Sequence, residues 1–360
     1  MRLLDKTRRR QNRKRAIPLA ALLLTCLSVS AYSAESVSID VLKSHFADGD
    51  FDAIISALDA KPQKSPEAYN LLISALMNKD LDDAEEQADK FVAAYPDDYR
   101  AYHIHASVMG AQASDSIFSA LGYAKKARQS LEKAVDIAPD KIDVYQALMQ
   151  FHLAAPSIAG GDMDEARRLV DKIATMDATE GQFASARFHM AQDNTEKATE
   201  LYLTLAAQDD SRAQALFELG RHYVADERYQ QAFETLSPLM SFQPEQMEAA
   251  DTPQWQAHQR TVHHYLYGKY YLGLAAVKSG NNTQAGIEAL SQYRRELAAT
   301  NIDTANLPSH DWAALRLAEL LINNKQYEDA QTTLNTIEPG QDDRFNSIFK
   351  GLKKKVKKHV

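Results

Sequence analysis

The chain has 360 residues and a formal net charge of −8, from 41 Lys and Arg against 49 Asp and Glu. This length suffices for a long repeat structure or two globular domains, and the acidic balance argues against nucleic acid as a partner, because phosphates require a basic surface. Cys26 is the only cysteine, so no disulfide supports the fold.

The first 34 residues have the three parts of a secretory signal peptide. Six basic residues between Arg8 and Arg15 precede an apolar stretch from 16 to 29, and the small residues that follow offer cleavage near Ala34 or after Ala31. The apolar stretch is shorter than the roughly 20 residues that span a bilayer. We therefore expect a cleaved leader, residues 1–34, and a periplasmic mature protein.

Two alternatives would keep the protein on the membrane. One is an uncleaved signal anchor, and the other is a lipoprotein acylated at Cys26. Thr25 and Leu27 argue against the lipoprotein, because small residues are expected beside the acylated cysteine. Removal of the leader, which holds eight basic residues and one acidic residue, leaves a net charge of −15 and no cysteine.

From about Ser36 to residue 206 the sequence predicts a succession of short helices in pairs. Small residues recur where neighbouring helices must pack closely, and a proline ends several pairs because it has no amide proton to continue a helix. The small residues are Ala84, Ala88, Ala127, Ala134, Ala166 and Ala198, and the prolines are Pro96 and Pro139.

An insertion between two predicted helices contains Pro156, Gly160, Gly161 and Asp162. Asp162 followed by Glu165 predicts a cap at the start of the next helix. We treat Gly160, Gly161 and Asp162 as a candidate ligand-binding loop, and the alternative is an elongated turn. A phosphate loop is disfavoured, because Lys and Ser or Thr do not follow the glycines.

Residues 213–244 carry the clearest repeat. Leu219, Gly220 and Tyr223 form a Leu-Gly-x-x-Tyr step, in which Gly220 provides a small residue where a second helix approaches, and Ala232 provides the matching small surface on that helix. This pattern resembles the tetratricopeptide repeat. A single unit of this family cannot bury its apolar face alone, so at least about three must stack.

Further units follow towards the C-terminus. Leu272, Gly273 and Gly280 begin one match, and Ala318 takes the place of the small residue in the last. Between them and the clearest unit, residues 245–259 form an insertion that we expect to be an extra helix. The resemblance, to a secreted bacterial type of tetratricopeptide repeat protein, implies an all-α fold, a right-handed α-solenoid of about seven to eight helix pairs over residues 35–341.

The resemblance also implies that the first helices of successive pairs line a concave face that binds a protein or peptide. Phe183 with Arg187 and Phe217 with Arg221 repeat an aromatic and arginine pair, which predicts a strip that stacks on side chains and grips a carboxylate. Alternatively, the phenylalanines pack inside the solenoid and the arginines neutralise the protein's own acids. The predicted binding residues are Phe183, Arg187, Phe217, Arg221, Tyr267 and Tyr270.

No motif predicts catalysis, a metal or a cofactor. The sequence lacks His-Glu-x-x-His, a cysteine cluster and Gly-x-Ser-x-Gly. We therefore expect a non-enzymatic periplasmic scaffold that binds an envelope protein or peptide. The alternative is a solute-binding repeat component associated with a transporter, because a similar Pro and Gly-Gly-Asp turn occurs in some bacterial tetratricopeptide proteins associated with periplasmic solute capture.

Residues 342–360 predict a basic C-terminal capping helix. Phe345, Phe349, Leu352 and Val356 recur at helical spacing, and lysines occupy most other positions from 350 to 358. A solenoid needs a terminal helix that covers the last repeat and has a soluble outer face. The lysines either serve solvation alone or also make a weak contact with an anionic membrane.

Overall fold

The computed structural model describes residues 37–360 except positions 48, 117, 246, 251, 305 and 339–342. The predicted leader, 1–34, lies outside the described residues. Val37–Val360 form one unit of contacting helices, and no strand occurs among the described residues. The prediction of an all-α fold is confirmed.

Seventeen α-helices and two short 3-10 helices make up the described chain. They are α1 Ile39–Ala47, α2 Phe51–Leu58, α3 Pro66–Leu76, α4 Leu81–Ala94, α5 Tyr99–Asp115, α6 Ala120–Ile137, α7 Ile142–Ala154, η1 Ser157–Ala159, α8 Met163–Met176, α9 Ala178–Ala191, α10 Thr195–Ala206, α11 Asp209–Ala225, α12 Tyr229–Leu236, η2 Ser237–Met240, α13 Pro253–Ser279, α14 Thr283–Ala299, α15 His310–Asn323, α16 Tyr327–Asn335 and α17 Asp343–Val356.

The α-helices pack as eight successive pairs, from α1 with α2 to α15 with α16. Each pair also contacts the pair that follows it, and α17 packs on α15 and α16 at the C-terminal end. The prediction of about seven to eight helix pairs and a capping helix is therefore confirmed, and the described unit is an α-solenoid.

The turn between the two helices of a pair has a recurring conformation. Asp193, Glu227 and Lys325 lie in the left-handed region, with φ near 60°, in three of these turns. The residue after each donates its backbone amide to a carbonyl five residues earlier, as from Asn194 to His189 (2.9 Å) and from Arg228 to Tyr223 (2.8 Å). This is the bonding of a Schellman motif, which satisfies the last carbonyls of the first helix.

The predicted close approach at Gly220 is present. A Cβ at this position would lie 2.4 Å from Leu236 of α12, and a Cβ at Gly273 would lie 2.3 Å from Leu290 of α14. Glycine at these positions therefore lets the two helices of a pair come together more closely than any larger residue would allow.

The insertion before α13 differs from the prediction. Residues 253–259 do not form a separate helix but are the first turns of the 27-residue α13, in which Trp255 is buried. Asn301 donates its amide to the carbonyl of Met247 (3.0 Å), and Gln259 accepts a hydrogen bond from the backbone of Asp303 (3.3 Å). The segments on either side of the α13–α14 pair therefore pack on its extension.

The buried side chains form four clusters along the chain. One covers α1 to α6, the next α5 to α9 and the third α9 to α13. The fourth and largest runs from α11 to α17 and includes the apolar face of the capping helix. Each cluster is built by helices that are neighbours in sequence, as expected for a solenoid.

Candidate functional site

The first helices of the pairs are the odd-numbered helices from α1 to α15. From α3 onwards, side-chain contacts join each of them to the next one along the chain. The contacts are Glu67 with Arg100 (3.2 Å), Asp143 beside Tyr99, Gln146 with Glu180 (2.8 Å), Arg187 with Glu218 (2.6 Å), Phe217 with Tyr267 (ring centroids 4.9 Å apart) and Arg316 beside Tyr270. These contacts, which we call the first-helix ladder, place the first helices side by side on one face.

Arg187 and Glu218 form a buried ion pair between α9 and α11. The guanidinium donates to both carboxylate oxygens (2.9 and 2.6 Å), and Tyr202 and Gln214 donate two further hydrogen bonds to the same carboxylate. Glu218 is 6% exposed. Burial acts to raise the pKa of Glu218, but the charge and hydrogen bonds of Arg187 outweigh it and hold the pKa below its usual range. The pair is therefore ionised and held by four donated bonds.

Phe183 lies in the interior, next to this pair. Its side chain is 1% exposed, in the cluster of buried residues that contains Tyr202. The Arg187 guanidinium lies 5.8 Å from the Phe183 ring centroid. Both members of the first predicted pair, Phe183 and Arg187, thus make contacts within the protein, and Arg187 forms its ion pair with Glu218.

The second predicted pair belongs to an aromatic cluster of Phe217, His263, His264, Tyr267 and Tyr271. The Phe217 and Tyr267 rings stack at 4.9 Å with an interplanar angle of 15°, and Tyr271 meets Phe217 and Tyr267 edge to face (5.6 and 5.4 Å). His263 and His264 extend the cluster along α13. Phe217 is buried, whereas the other four side chains are partly exposed. The cluster therefore presents aromatic surface to solvent.

Arg221 lies one helical turn after Phe217, at the edge of this cluster. Its guanidinium is 5.8 Å from the Phe217 ring centroid, and the residue is exposed. Within the described part of the chain, no carboxylate lies within ion-pair distance of this guanidinium. Arg221 thus differs from Arg187 in keeping its charge available.

Burial controls the ionisation of the cluster. It lowers the pKa of His264 to about 4, although the charge of Glu218 acts in the opposite direction. Burial also raises the pKa of Tyr267. At neutral pH both rings are therefore uncharged, and Arg221 supplies the positive charge beside them.

Tyr270, the sixth predicted binding residue, faces away from the open part of the cluster. It is 7% exposed, and its ring lies 5.6 Å from that of Tyr293 on α14. Burial raises the pKa of Tyr270, while Arg316 beside it acts to lower that pKa. Tyr270 links α13 to its neighbours and offers little surface to a ligand.

The predicted loop has a conformational role at each of its residues. Gly160 has φ of 97°, and a Cβ at Gly161 would lie 1.7 Å from the Ala155 carbonyl oxygen. Asp162 caps α8, because its Oδ1 accepts from the backbone amides of Asp164 (2.9 Å) and Glu165 (3.0 Å). The loop's predicted function in ligand binding stays a prediction.

Sequence reasoning did not identify three residues that shape the site. Tyr271 lies four residues after Tyr267, and this helical spacing was a signal for it. His264 and Glu218 carried no such signal. Glu218 becomes important only through Arg187, which is far away in sequence, and His264 only through its burial against Phe217.

The described residues contain neither a candidate metal site nor a candidate membrane-spanning helix. No group of three or more His, Cys, Asp or Glu side chains there is arranged to hold a metal ion. No described helix combines the length and the apolar character needed to cross a membrane.

Two clefts of the described chain lie away from the aromatic cluster. One, of about 700 Å³, is lined by residues of the turn between α4 and α5 together with Lys141. Another lies where the turn after α11 meets the turn after α13. Neither cleft is lined by a residue of the aromatic cluster.

Comparison with known proteins gives a family match in the C-terminal part. Residues 276–356 match the model of the tetratricopeptide repeat. No curated protein matches the chain at a significant level.

Among solved structures, the chain is similar to a thermophilic TPR protein of Thermus thermophilus, with 18% identity, coverage of 52% of this chain and 97% of the other, and a TM-score of 0.42. It is also similar to the apo form of the quorum sensor NprR from B. thuringiensis, with 15% identity, coverage of 88% and 97%, and a TM-score of 0.33. NprR in complex with its cognate peptide NprX matches with 14% identity, coverage of 88% and 96%, and a TM-score of 0.35.

These likenesses are distant, so the fold assignment rests on the paired helices of the chain and on the family match. The match covers the last residues of α13 through α17, and the earlier pairs repeat the same arrangement. Residues 276–356 are thus similar to the tetratricopeptide repeat family, and the helix pairs before them have the same paired-helix architecture.

Proposed function

We propose that this protein is a non-enzymatic scaffold that binds a protein or peptide segment along the face formed by its first helices. Stacked repeats of this kind create extended binding surfaces between helices that hold each other in place. The observation that carries the proposal is the open aromatic cluster around Tyr267, with the exposed, unpaired Arg221 beside it.

The chemistry of this surface favours a particular kind of segment. Exposed edges of Tyr267 and Tyr271 suit an apolar or aromatic side chain, and the guanidinium of Arg221 suits a carboxylate. Aromatic and arginine side chains of this sort carry much of the binding energy in protein interfaces. We therefore propose a peptide segment with an apolar side chain and a carboxylate close to each other.

We also propose that the protein acts in the periplasm. The basic and apolar blocks of residues 1–34 support this placement, as does the loss of Cys26 with the leader. Intact-mass measurement on a periplasmic extract tests it, and the expected mature chain begins near Glu35. A full-length mass in the membrane fraction would instead support an uncleaved anchor, and a lipid adduct on Cys26 a lipoprotein.

The binding proposal is tested with a displayed peptide library selected on the mature chain. Peptides that bind should lose affinity by about thirtyfold or more with Tyr267→Ala, the effect of removing a residue worth about 2 kcal/mol. Arg221→Ala should weaken binding only when the peptide carboxylate is free, and amidation of that carboxylate should remove the difference.

Arg295→Ala is the matched control, because Arg295 is an exposed arginine on α14, a second helix. Equal losses with Arg295→Ala and Arg221→Ala would show that only overall charge matters and would reject the site. A metabolite that raises the melting temperature, with no peptide selected, would support the solute-binding alternative.

A further inference from the structure

The charges of the described unit are separated between its C-terminal helix and the rest. Residues 343–360 contain seven basic residues and one acidic residue, a net charge of +6, whereas residues 37–342 contain 26 basic and 46 acidic residues, a net charge of −20. One terminal helix of an acidic protein is thus strongly basic.

This helix, α17, is held firmly on the last repeat. Phe345, Phe349, Leu352 and Val356 are each at most 5% exposed and belong to the largest buried cluster. Beyond the helix, the ring of His359 stacks on Tyr327 of α16 at 4.2 Å and 11°. The tail that carries the last lysines is therefore also fixed to the repeat.

Lysines on the exposed side of α17 and in the turn that follows it form a surface that we call the lysine face. Its members are Lys350, Lys353, Lys354, Lys355, Lys357 and Lys358, and all six are exposed. At 3.6 residues per turn, Lys350 and Lys354 lie opposite the buried stripe, and Lys357 follows the last residue of α17. The Nζ of Lys353 lies 4.6 Å from the Phe349 ring centroid, at the border between the two faces.

The lysine face forms no ion pair among the described residues. Within the described residues, none of its six lysines forms an ion pair with a carboxylate, although other lysines of this acidic chain do, such as Lys79 with Asp52 and Lys126 with Glu85. The positive charge of the face therefore points outward.

The composition of the face indicates what kind of surface it fits. Lysine is a mobile point charge, whereas arginine recognises carboxylates and phosphates with fixed geometry. The exposed side of α17 carries no exposed aromatic side chain, and its cations are lysines except Arg344 in the first turn. This suits a surface with diffuse negative charge, such as a bilayer that contains anionic lipids.

The position of α17 makes such a contact compatible with the acidic body. Within the described residues it packs mainly on α15 and α16, the last helix pair. Repulsion between the body and an anionic bilayer is screened beyond about 8 Å at physiological salt. End-on docking would therefore bring the lysines to the lipid while most acidic residues remain at a distance.

We propose that the lysine face docks the protein reversibly, and end-on, to anionic lipid bilayers. This contact is separate from peptide binding at the aromatic cluster, which lies on α11 and α13, and the bound protein keeps that cluster accessible. Because the contact is electrostatic, it weakens as the salt concentration rises.

Co-sedimentation of the mature chain with vesicles tests the proposal. Binding is expected to phosphatidylcholine vesicles that contain phosphatidylglycerol, and not to phosphatidylcholine alone. The triple variant Lys350→Gln, Lys354→Gln and Lys357→Gln should weaken this binding by at least about tenfold, because one lysine near an anionic surface contributes about a factor of five.

The matched control replaces Lys125, Lys133 and Lys197, which are exposed on second helices, with glutamine. It makes the same change in net charge and should leave vesicle binding intact. Both variants should melt within a few degrees of the original protein by circular dichroism, because the altered side chains are exposed.

Three results would overturn the proposal. One is the absence of binding to anionic vesicles at low salt, and another is an equal loss of binding in the control variant. The third is salt-sensitive self-association that depends on the lysine face and occurs without vesicle binding, measured by sedimentation velocity. That result would assign the face to the acidic surface of a second copy of the chain.

Discussion

The first-helix ladder changes its chemistry between two regions of the same solenoid. From α3 to α9 its contacts are polar and lie at exposed or partly buried positions. The side chains of Glu67 and Arg100, for example, are 55% and 47% exposed. From α9 to α13 the contacts are a buried ion pair and an aromatic stack. The backbone architecture is the same in both regions, so the repeat determines the helix arrangement and individual side chains determine what each part of the face binds.

The largest change in stability is expected when the buried carboxylate of Glu218 is removed. Glu218→Ala should lower the free energy of unfolding by about 3–5 kcal/mol, because it leaves Arg187 unpaired in a partly buried site, and the bonds from Tyr202 and Gln214 are lost as well. Glu67→Ala, in the exposed pair, should cost less than about 1 kcal/mol. Urea unfolding measures both, and similar losses would contradict the comparison.

A second test concerns the close approach of helices. Gly220→Ala should lower the free energy of unfolding by about 1–3 kcal/mol, because the new methyl group overlaps Leu236. Gly110→Ala in α5 is the control, since a Cβ there meets nothing within 4 Å, and it should raise stability by about 1 kcal/mol. Thermal melting measures both changes, and the melting temperature should fall for Gly220→Ala and rise for Gly110→Ala.

A third test uses pH. The folded protein keeps the pKa of His264 near 4, below its usual value of 6.5. As the pH falls below about 6.5, the unfolded chain takes up a proton that folded His264 does not, so stability falls by about 1 kcal/mol per pH unit until about pH 4. His264→Gln should reduce this slope in urea titrations, and an unchanged slope would show that other histidines account for the acid sensitivity.

The smallest effect is expected in the turns, which the two regions share. Glu227 adopts φ of 59°, a left-handed conformation that is unfavourable for a residue with a side chain. Glu227→Gly should raise the free energy of unfolding by about 0.5 kcal/mol, because relief of strain exceeds the added entropy of the unfolded chain. Gly280→Ala, at φ of 68°, should have the opposite effect.

The fold was predictable because its determinants are local. Gly220, Tyr223 and Ala232 occur at a spacing that belongs to one helix pair, and stacking follows because a single pair cannot bury its apolar face. The beginning of α13 was not predictable in the same way. The insertion that precedes it lacks the repeat pattern, and its helical turns are held by contacts of Trp255 and Gln259 with distant segments.

The binding residues were only partly predictable, because their roles depend on partners in other pairs. Phe183 with Arg187 and Phe217 with Arg221 are equivalent in sequence, but Glu218 forms an ion pair with Arg187, and among the described residues no carboxylate lies within ion-pair distance of Arg221. The same sequence spacing therefore does not show that Arg187 forms an internal ion pair whereas Arg221 does not. Such a difference is set by side chains more than thirty residues apart.

The four successive buried clusters also have a consequence for how the chain acquires its structure. Each cluster closes with helices that are near neighbours in sequence, so little loop-closure entropy is lost before the first contacts form. We expect rapid folding that can begin at several places and spread along the chain. Within the described residues the short helices α1 and α2 pack on each other and on α3, in a smaller cluster than that of α11 to α17. We expect their amide protons to exchange sooner than those of the region from α11 to α17.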